Sequence, residues 1–437
     1  MGRSVAPIRW LRPAARLAYA VVIAALLAGT AQAAESTEFD VSAYEKKSFE
    51  WNGYLELKPE YQRLDPDSAL YGLQFPGDTR SSLTRTSAAA ELSGVYRTGD
   101  VRLHFTGHAS YVHDPRGSAS DLRTYEAYGA WQPAANASLE AGKRALRWGK
   151  GYAFSPVAFF ERAKDPLDPE LSREGFVIAT GSWVRSSLGP FTTVSVTPVL
   201  LPVKDSLNDD YGPGDHLNAG VKLYALLYDT DVDLIYAAPG SRGARWGADV
   251  SRNLSTNLEI HGEWAHFSDA TSVVLTSANT LATQVRSVTS YMLGLRYLTG
   301  HQTTIIAEYY RNGAGFTQHE AQQFFELAHA TSANQRLSSV VAQAASRGYV
   351  GPNSMRSYFY LRLSQPEPFD VLYFTPALTA IVNVDDRSYT LIPELTYTRI
   401  TNLELRLRLQ FNHGDRLTDY GEKAVDSRGE LRMRYFF

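Results

Sequence analysis

Runs of about ten residues in which apolar and polar side chains alternate recur along most of this 437-residue chain, and nothing constrains its fold more. A period of two places alternate side chains on opposite faces of a strand, whereas a helix face repeats about every 3.6 residues. In 101–111, Val101, Leu103, Phe105, Ala109 and Tyr111 share one face with Gly107, and Arg102, His104, Thr106, His108 and Ser110 share the other. In 403–411, Leu403, Leu405, Leu407, Leu409 and Phe411 oppose Glu404, Arg406, Arg408 and Gln410. Segments 217–227, 258–264, 303–309 and 391–397 follow the same rule.

The links between these runs alternate in length. Tight ones fall at 98–100, 133–136, 187–190, 229–230, 253–255, 299–301, 365–370 and 401–402. Between them lie mostly longer ones at 65–82, 113–121, 148–175, 201–216, 239–243, 268–286, 312–355, 385–387 and 413–428. A soluble sandwich also alternates, but its turns are short at both ends. Short turns on one side and longer loops on the other predict an all-β fold: a transmembrane antiparallel β-barrel with short periplasmic turns, longer extracellular loops and both chain ends on the periplasmic side. The links delimit about 18 strands, and the uncertainty of their boundaries accommodates 16. A barrel of about 18 strands has a lumen wide enough for water. The 26 Tyr, 19 Phe and 7 Trp suit surfaces where oil meets water.

Residues 1–33 read as a secretory signal peptide: Arg3, Arg9, Arg12 and Arg16 precede an apolar stretch at 17–27 and the small-x-small site Ala31-Gln32-Ala33. Residues 34–48 are polar and read as a loose periplasmic leader, leaving 49–437 for the barrel. No later segment approaches the roughly 18 consecutive apolar residues of a membrane helix. The absence of cysteine removes disulfide scaffolds, thiol catalysis and cysteine-ligated metals. A net charge of -3 gives no sign of a nucleic-acid partner. Strand one is expected over 49–63, with Phe49, Trp51, Gly53, Leu55 and Leu57 outward and Glu50, Asn52, Glu56, Lys58 and Glu60 in the lumen. The final strand must pair with the first, so Leu431, Met433, Tyr435 and Phe437 are expected to face lipid, and Arg432, Arg434 and Phe436 to face inward.

Lumen-facing residues decide what passes, because the lipid face is fixed by solvation. Arg102, Arg362, Arg406, Arg408, Arg432 and Arg434 fall on strands that neighbour one another once the barrel closes and form a candidate positive wall. Asp231, Asp233, Asp249, Glu259 and Glu263 fall on strands 9 to 11 and form a candidate negative wall. Two alternatives stand: a transverse field across the passage, or arginines neutralised by Glu56, Glu60, Glu394 and Glu404. The loop 148–175 is the candidate constriction, with Trp148, Tyr152, Phe154, Phe159 and Phe160 packed inward and Arg162, Lys164 and Arg173 near its edge; packing on the rim is the alternative. In 312–355, Ala321, Phe324, Phe325 and Ala328 repeat at helical spacing, which fits a helix narrowing the mouth or an exposed lid.

No G-x-S-x-G, H-E-x-x-H or phosphate-binding glycine loop occurs, so the expectation is a channel rather than an enzyme, with no cofactor and no metal. His104 and His108, four apart on one strand face, lie about 13 Å from each other, too far to share a metal. The ending "LRMRYFF" resembles the C-terminal signal of Gram-negative outer-membrane proteins, which implies the barrel-insertion machinery as a partner. The chain resembles Gram-negative porins, and "GKRALRWGKGYAFSPVAFF" is similar to loops of barrels loosely related to the alginate-export porins. That resemblance implies the architecture of a bacterial outer-membrane porin embedded in lipid, while the hydrophilic, charged lumen predicts a water-filled channel for small polar or anionic solutes. A sheath around an exported electron carrier and a polysaccharide export channel are the alternatives, and the assembly is left open between monomer and homo-oligomer. Alginate exporters are expected to have a strongly basic lumen, and the acidic strands 9 to 11 depart from that.

Overall fold

The computed structural model describes residues 47–330 and 335–437. The expected signal peptide (1–33) and nearly all of the leader (34–48) lie outside the described residues. Eighteen strands follow: β1 Phe49–Leu64, β2 Ser82–Thr98, β3 Val101–Asp114, β4 Gly117–Ala134, β5 Ala137–Arg144, β6 Phe176–Leu188, β7 Phe191–Val203, β8 His216–Leu227, β9 Thr230–Ala237, β10 Arg245–Ser255, β11 Leu258–Leu275, β12 Leu281–Leu298, β13 Thr304–Arg311, β14 Ser357–Ser364, β15 Phe374–Asn383, β16 Tyr389–Tyr397, β17 Leu403–His413 and β18 Val425–Phe436. Every neighbouring pair is antiparallel, and β1 pairs with both β2 and β18, so the sheet closes without an edge. Closure lets the strands satisfy one another's backbone groups inside hydrocarbon, where water cannot.

The alternation works as expected at the wall. Trp51, Leu103, Trp131 and Leu293 are at least half exposed on the outer face, while Glu56 and Arg434 meet on the inner one. The seam is fixed by the last residue: the Phe437 N–H donates to the Gly53 carbonyl and the Gly53 N–H to the Phe437 carbonyl, both at 3.0 Å. The Phe437 ring lies 5.5 Å from that of Trp51. A Cβ at position 53 would stand 2.3 Å from the Glu91 carbonyl oxygen and 2.8 Å from the Phe437 ring, so only glycine fits. Overpacking of this kind costs about 1–3 kcal/mol. Gly53→Ala is therefore expected to lower the yield of heat-modifiable folded barrel on electrophoresis. Gly72→Ala, in open space, leaves it unchanged.

Two expected loops are largely strand. β3 runs to Asp114 and β4 resumes at Gly117, while β11 runs to Leu275 and β12 begins at Leu281, so 113–121 and 268–286 shrink to tips of hairpins. Strands that rise past the hydrocarbon into water no longer need an apolar face, and the alternation that marks them fades there. Conversely, the link 365–370 extends to Tyr373, contains the 3₁₀ turn Pro368–Asp370, and exposes Phe369.

At the mouth, α1 (Ala69–Gln74), α2 (Gln318–Ala330) and α3 (Gln335–Ala344) belong to the loops after β1 and β13. A capping box starts α2: Thr317 Oγ1 accepts from the Glu320 N–H at 3.2 Å, and Glu320 accepts from the Thr317 N–H at 2.7 Å. Ala321, Phe324, Phe325 and Leu327 are buried and pack with the inward-facing Tyr358 and Tyr360 of β14, so the helix narrows the mouth rather than standing off as a lid. The buried Glu422 ties the loops together, accepting from the Ala69 N–H at 2.5 Å and the Leu417 N–H at 2.8 Å and lying 2.9 Å from His329 Nε2.

Candidate functional site

The link between β5 and β6 folds into the lumen. Trp148, Phe154, Phe159 and Phe160 are buried, and Tyr152, Arg162 and Lys164 are half-buried. Two wall carboxylates hold it by its backbone. Glu263 on β11 accepts from the Gly151 N–H at 2.7 Å, the Val157 N–H at 3.3 Å and the Ser155 hydroxyl at 3.2 Å. Glu308 on β13 accepts from the N–H groups of Tyr152, Ala153 (2.9 Å) and Phe154 (3.2 Å), with His261 Nε2 at 3.1 Å. Hydrogen bonds made in a buried, low-dielectric setting are stronger than those exposed to water. A Cβ on Gly151 would meet the Phe154 carbonyl oxygen at 1.9 Å, so the tight bend that aims these N–H groups requires glycine.

The far end of the loop reaches the opposite wall. Asp168 lies 2.6 Å from Arg432 Nη2, 3.3 Å from Arg408 Nη1 and 3.6 Å from Arg406 Nη2. Glu394 on β16 takes Arg408 at 2.8 Å, Arg362 at 3.1 Å and Arg406 at 3.5 Å, while Glu56 takes Arg434 at 2.6 Å. Five of the six arginines of the candidate positive wall thus join one network with carboxylates. Arg102 stands apart, donating to the Gln132 side chain at 2.7 Å. Glu60 pairs with Lys58 at 3.1 Å instead. Among the described residues Glu404 makes no ion pair within 4.0 Å.

The acidic side is likewise largely occupied. Asp233 and Asp249 sit directly opposite in register on β9 and β10, both buried. Lys150 from the inward loop lies 3.1 Å from Asp233 and 3.9 Å from Asp249, and Lys222 lies 3.5 Å from Asp233. Asp231 accepts from the Tyr224 hydroxyl at 2.5 Å, and Glu259 lies 3.7 Å from His261. Glu263 is taken up by the loop backbone rather than facing the water path.

Two cavities remain on either side of the loop, and Glu161 borders both. Its carboxylate accepts from the Trp148 N–H at 2.6 Å and from Arg173 at 3.2 Å. The larger cavity, about 1110 Å³, is lined by Arg162, Arg242 and Arg245 with Phe159 and Phe267. There Arg162 pairs with Asp210, and the Arg242 guanidinium lies 4.2 Å from the Tyr211 ring centre. The second, about 750 Å³, is lined by Arg147, Lys150, Lys164, Arg173, Arg296 and Arg362 against Glu161, Glu170 and Glu259. Among the described residues, Arg147, Lys164 and Arg296 have no carboxylate within ion-pair distance. Arg147 and Arg296 are also exposed to the cavity's water.

Several of these residues escaped the sequence reading. Arg296 was legible, since Leu295 and Tyr297 outward on β12 put it inward. Arg147, Lys150 and Asp168 lie on an aperiodic loop, where no pattern tells which way a side chain points.

Burial raises the pKa of the Asp168 carboxyl, but Arg408 and Arg432 beside it outweigh that and hold it below the ordinary carboxylate value of 3.8. A depressed carboxyl stabilises its contacts above the ordinary pKa and loses them as pH falls through the lowered one. The hold of Asp168 on Arg408 and Arg432 is therefore expected to survive acidification from neutrality and to fail only below the ordinary carboxylate range, as read from the onset of fast current fluctuations in planar bilayers.

No protein-family model matches this sequence, and no curated protein matches it. Among solved structures the chain is similar to Acinetobacter baumannii OccAB1, at 12% identity over 89% of this chain and 96% of that chain, with a TM-score of 0.51. It is similar to Pseudomonas aeruginosa OccK5 (OpdH) at 13% identity, over 89% and 98% of the two chains, with a TM-score of 0.50. A mutant of Rh. blastica porin shares 8% identity over 89% of this chain and 100% of that chain, with a TM-score of 0.43. At these identities the likeness concerns fold. By fold, the chain is a closed antiparallel β-barrel similar to these structures, with 18 strands among the described residues.

Proposed function

We propose that the barrel is a passive, water-filled channel for small polar solutes with a preference for anions. The observation that carries this is the cavity beside the inward loop, where Arg147, Lys164 and Arg296 have no carboxylate within ion-pair distance among the described residues, whereas Arg362, Arg406, Arg408, Arg432 and Arg434 on the wall all do. Unpaired charges inside a narrow, low-dielectric passage focus potential and concentrate counter-ions. The paired arginines at 406, 408 and 432 act as scaffold for the loop, those at 362 and 434 are neutralised by Glu394 and Glu56, and Asp231 and Glu259 are the residues of the acidic wall left to face water. Passage on this view needs no cofactor and no catalysis.

The inward loop fills space that a sheathed electron carrier would need, so the geometry lends that alternative no support. Polysaccharide export, implied by resemblance in the loop, would require the loop to leave the lumen. The seam at Phe437 agrees with recognition of the last strand by the insertion machinery; a homo-oligomer is compatible with the channel and not required by it. In planar bilayers under a potassium chloride gradient, the reversal potential is expected to carry the sign of chloride preference. A potassium-selective reading would overturn the proposal.

A further inference from the structure

An apolar groove interrupts the lipid-facing wall where β4 to β7 meet. Gly129, Ala141, Ala179, Gly181 and Pro198 form its floor, and Val101, Trp131, Leu139 and Leu200 its sides, around about 540 Å³. Register places these side chains on the outer face: Trp131 opposite Leu139, Gly129 opposite Ala141, Leu139 opposite Gly181, and Ala179 opposite Leu200. The hollow exists because small residues sit side by side across three strands between larger ones.

What stands at its lower end distinguishes this groove from bare wall. Trp131 and Trp183 are exposed on the outer face near the short turn 135–136, the depth at which tryptophan marks the boundary between hydrocarbon and head groups. Arg185 lies two residues beyond Trp183 on the same face of β6, about 6.6 Å nearer the periplasm. It is exposed, and among the described residues its guanidinium has neither an ion pair nor a hydrogen bond. A lone guanidinium at head-group depth, next to an aromatic marker and below an apolar hollow continuous with the membrane, matches the parts of one phospholipid.

We propose that the groove binds a phospholipid of the periplasmic leaflet, with an acyl chain in the hollow and its phosphate on Arg185. Arg252 provides the comparison: it too faces outward near the periplasmic end, opposite Ile260 on β11, and has no ion pair among the described residues, but it lies on β10, which contributes nothing to the groove, whereas Arg185 lies on β6, whose Ala179 and Gly181 form part of the floor.

The test titrates the detergent-purified full chain with phosphatidylglycerol and counts retained lipid by native mass spectrometry. One lipid is expected to stay bound. Arg185→Ala should weaken its retention about fivefold, as the loss of one cation at a lipid surface does. Arg185→Lys should retain it, Ala141→Leu should abolish it by filling the floor, and Arg252→Ala should change nothing. Conductance of each variant confirms that the barrel has formed. Equal loss in Arg185→Ala and Arg252→Ala would overturn the site. So would an Ala141→Leu variant that keeps its lipid, or one that instead dissociates an oligomer of the chain.

Discussion

Asp168→Ala is expected to raise single-channel conductance and to add fast current fluctuations. Asp168 is the contact that carries the inward loop to the arginine wall, meeting Arg432, Arg408 and Arg406 within 3.6 Å. An exposed ion pair is worth about 1 kcal/mol or less, but removing one partner of a buried group costs about 3–5 kcal/mol, because the remaining charge is stranded. Arg408 and Arg432 are both buried, so the larger figure applies. Glu394 and Glu430 can take up part of that charge, and the arginines then draw back toward the wall. Either response removes the reason for the loop to cross. Asp168→Asn keeps the shape and should give the same direction with smaller size. Unchanged conductance and noise in both variants would show that the loop is held by Glu263 and Glu308 alone.

The second large effect concerns selectivity. Reversing Arg147 and Arg296 together, Arg147→Glu with Arg296→Glu, should move the chloride-to-potassium permeability ratio by about tenfold toward potassium, the lower end of what focused fields achieve. The reason to choose these two is that neither has a carboxylate partner to strand, so the change is one of potential and not of architecture. The same reversal at Arg408 would instead set a fourth carboxylate against Asp168, Glu394 and Glu430 and break the wall. Reversal potentials should therefore shift in the first case with the folded yield intact. A double variant that keeps the parent's selectivity would place the selecting charges elsewhere.

How much of this was written in the alternation can be judged strand by strand. The 403–411 run gave its inward face outright, because each outward leucine must meet lipid, and the closure of β18 on β1 followed from the outward set Leu431, Met433, Tyr435 and Phe437. The upper parts of β3, β4, β11 and β12 were lost because water imposes no face on them. Pairing was legible only in part. Glu56 and Glu394 could be assigned to the arginines, since all lie on neighbouring inward faces. Asp168 could not, because its position depends on a loop whose path is set by Glu263 and Glu308, more than ninety residues away in sequence. A carboxylate on β11 therefore read as part of a charged wall when its role is to hold main chain.

That role has a consequence for descent. Main-chain N–H groups are offered by nearly every residue type, so the two acidic hooks grip the loop almost regardless of what its side chains are. Substitutions along the loop can then retune which molecules cross without asking the cylinder to be rebuilt. A lineage that kept the hooks and let the loop drift would yield relatives of one shape and many tastes.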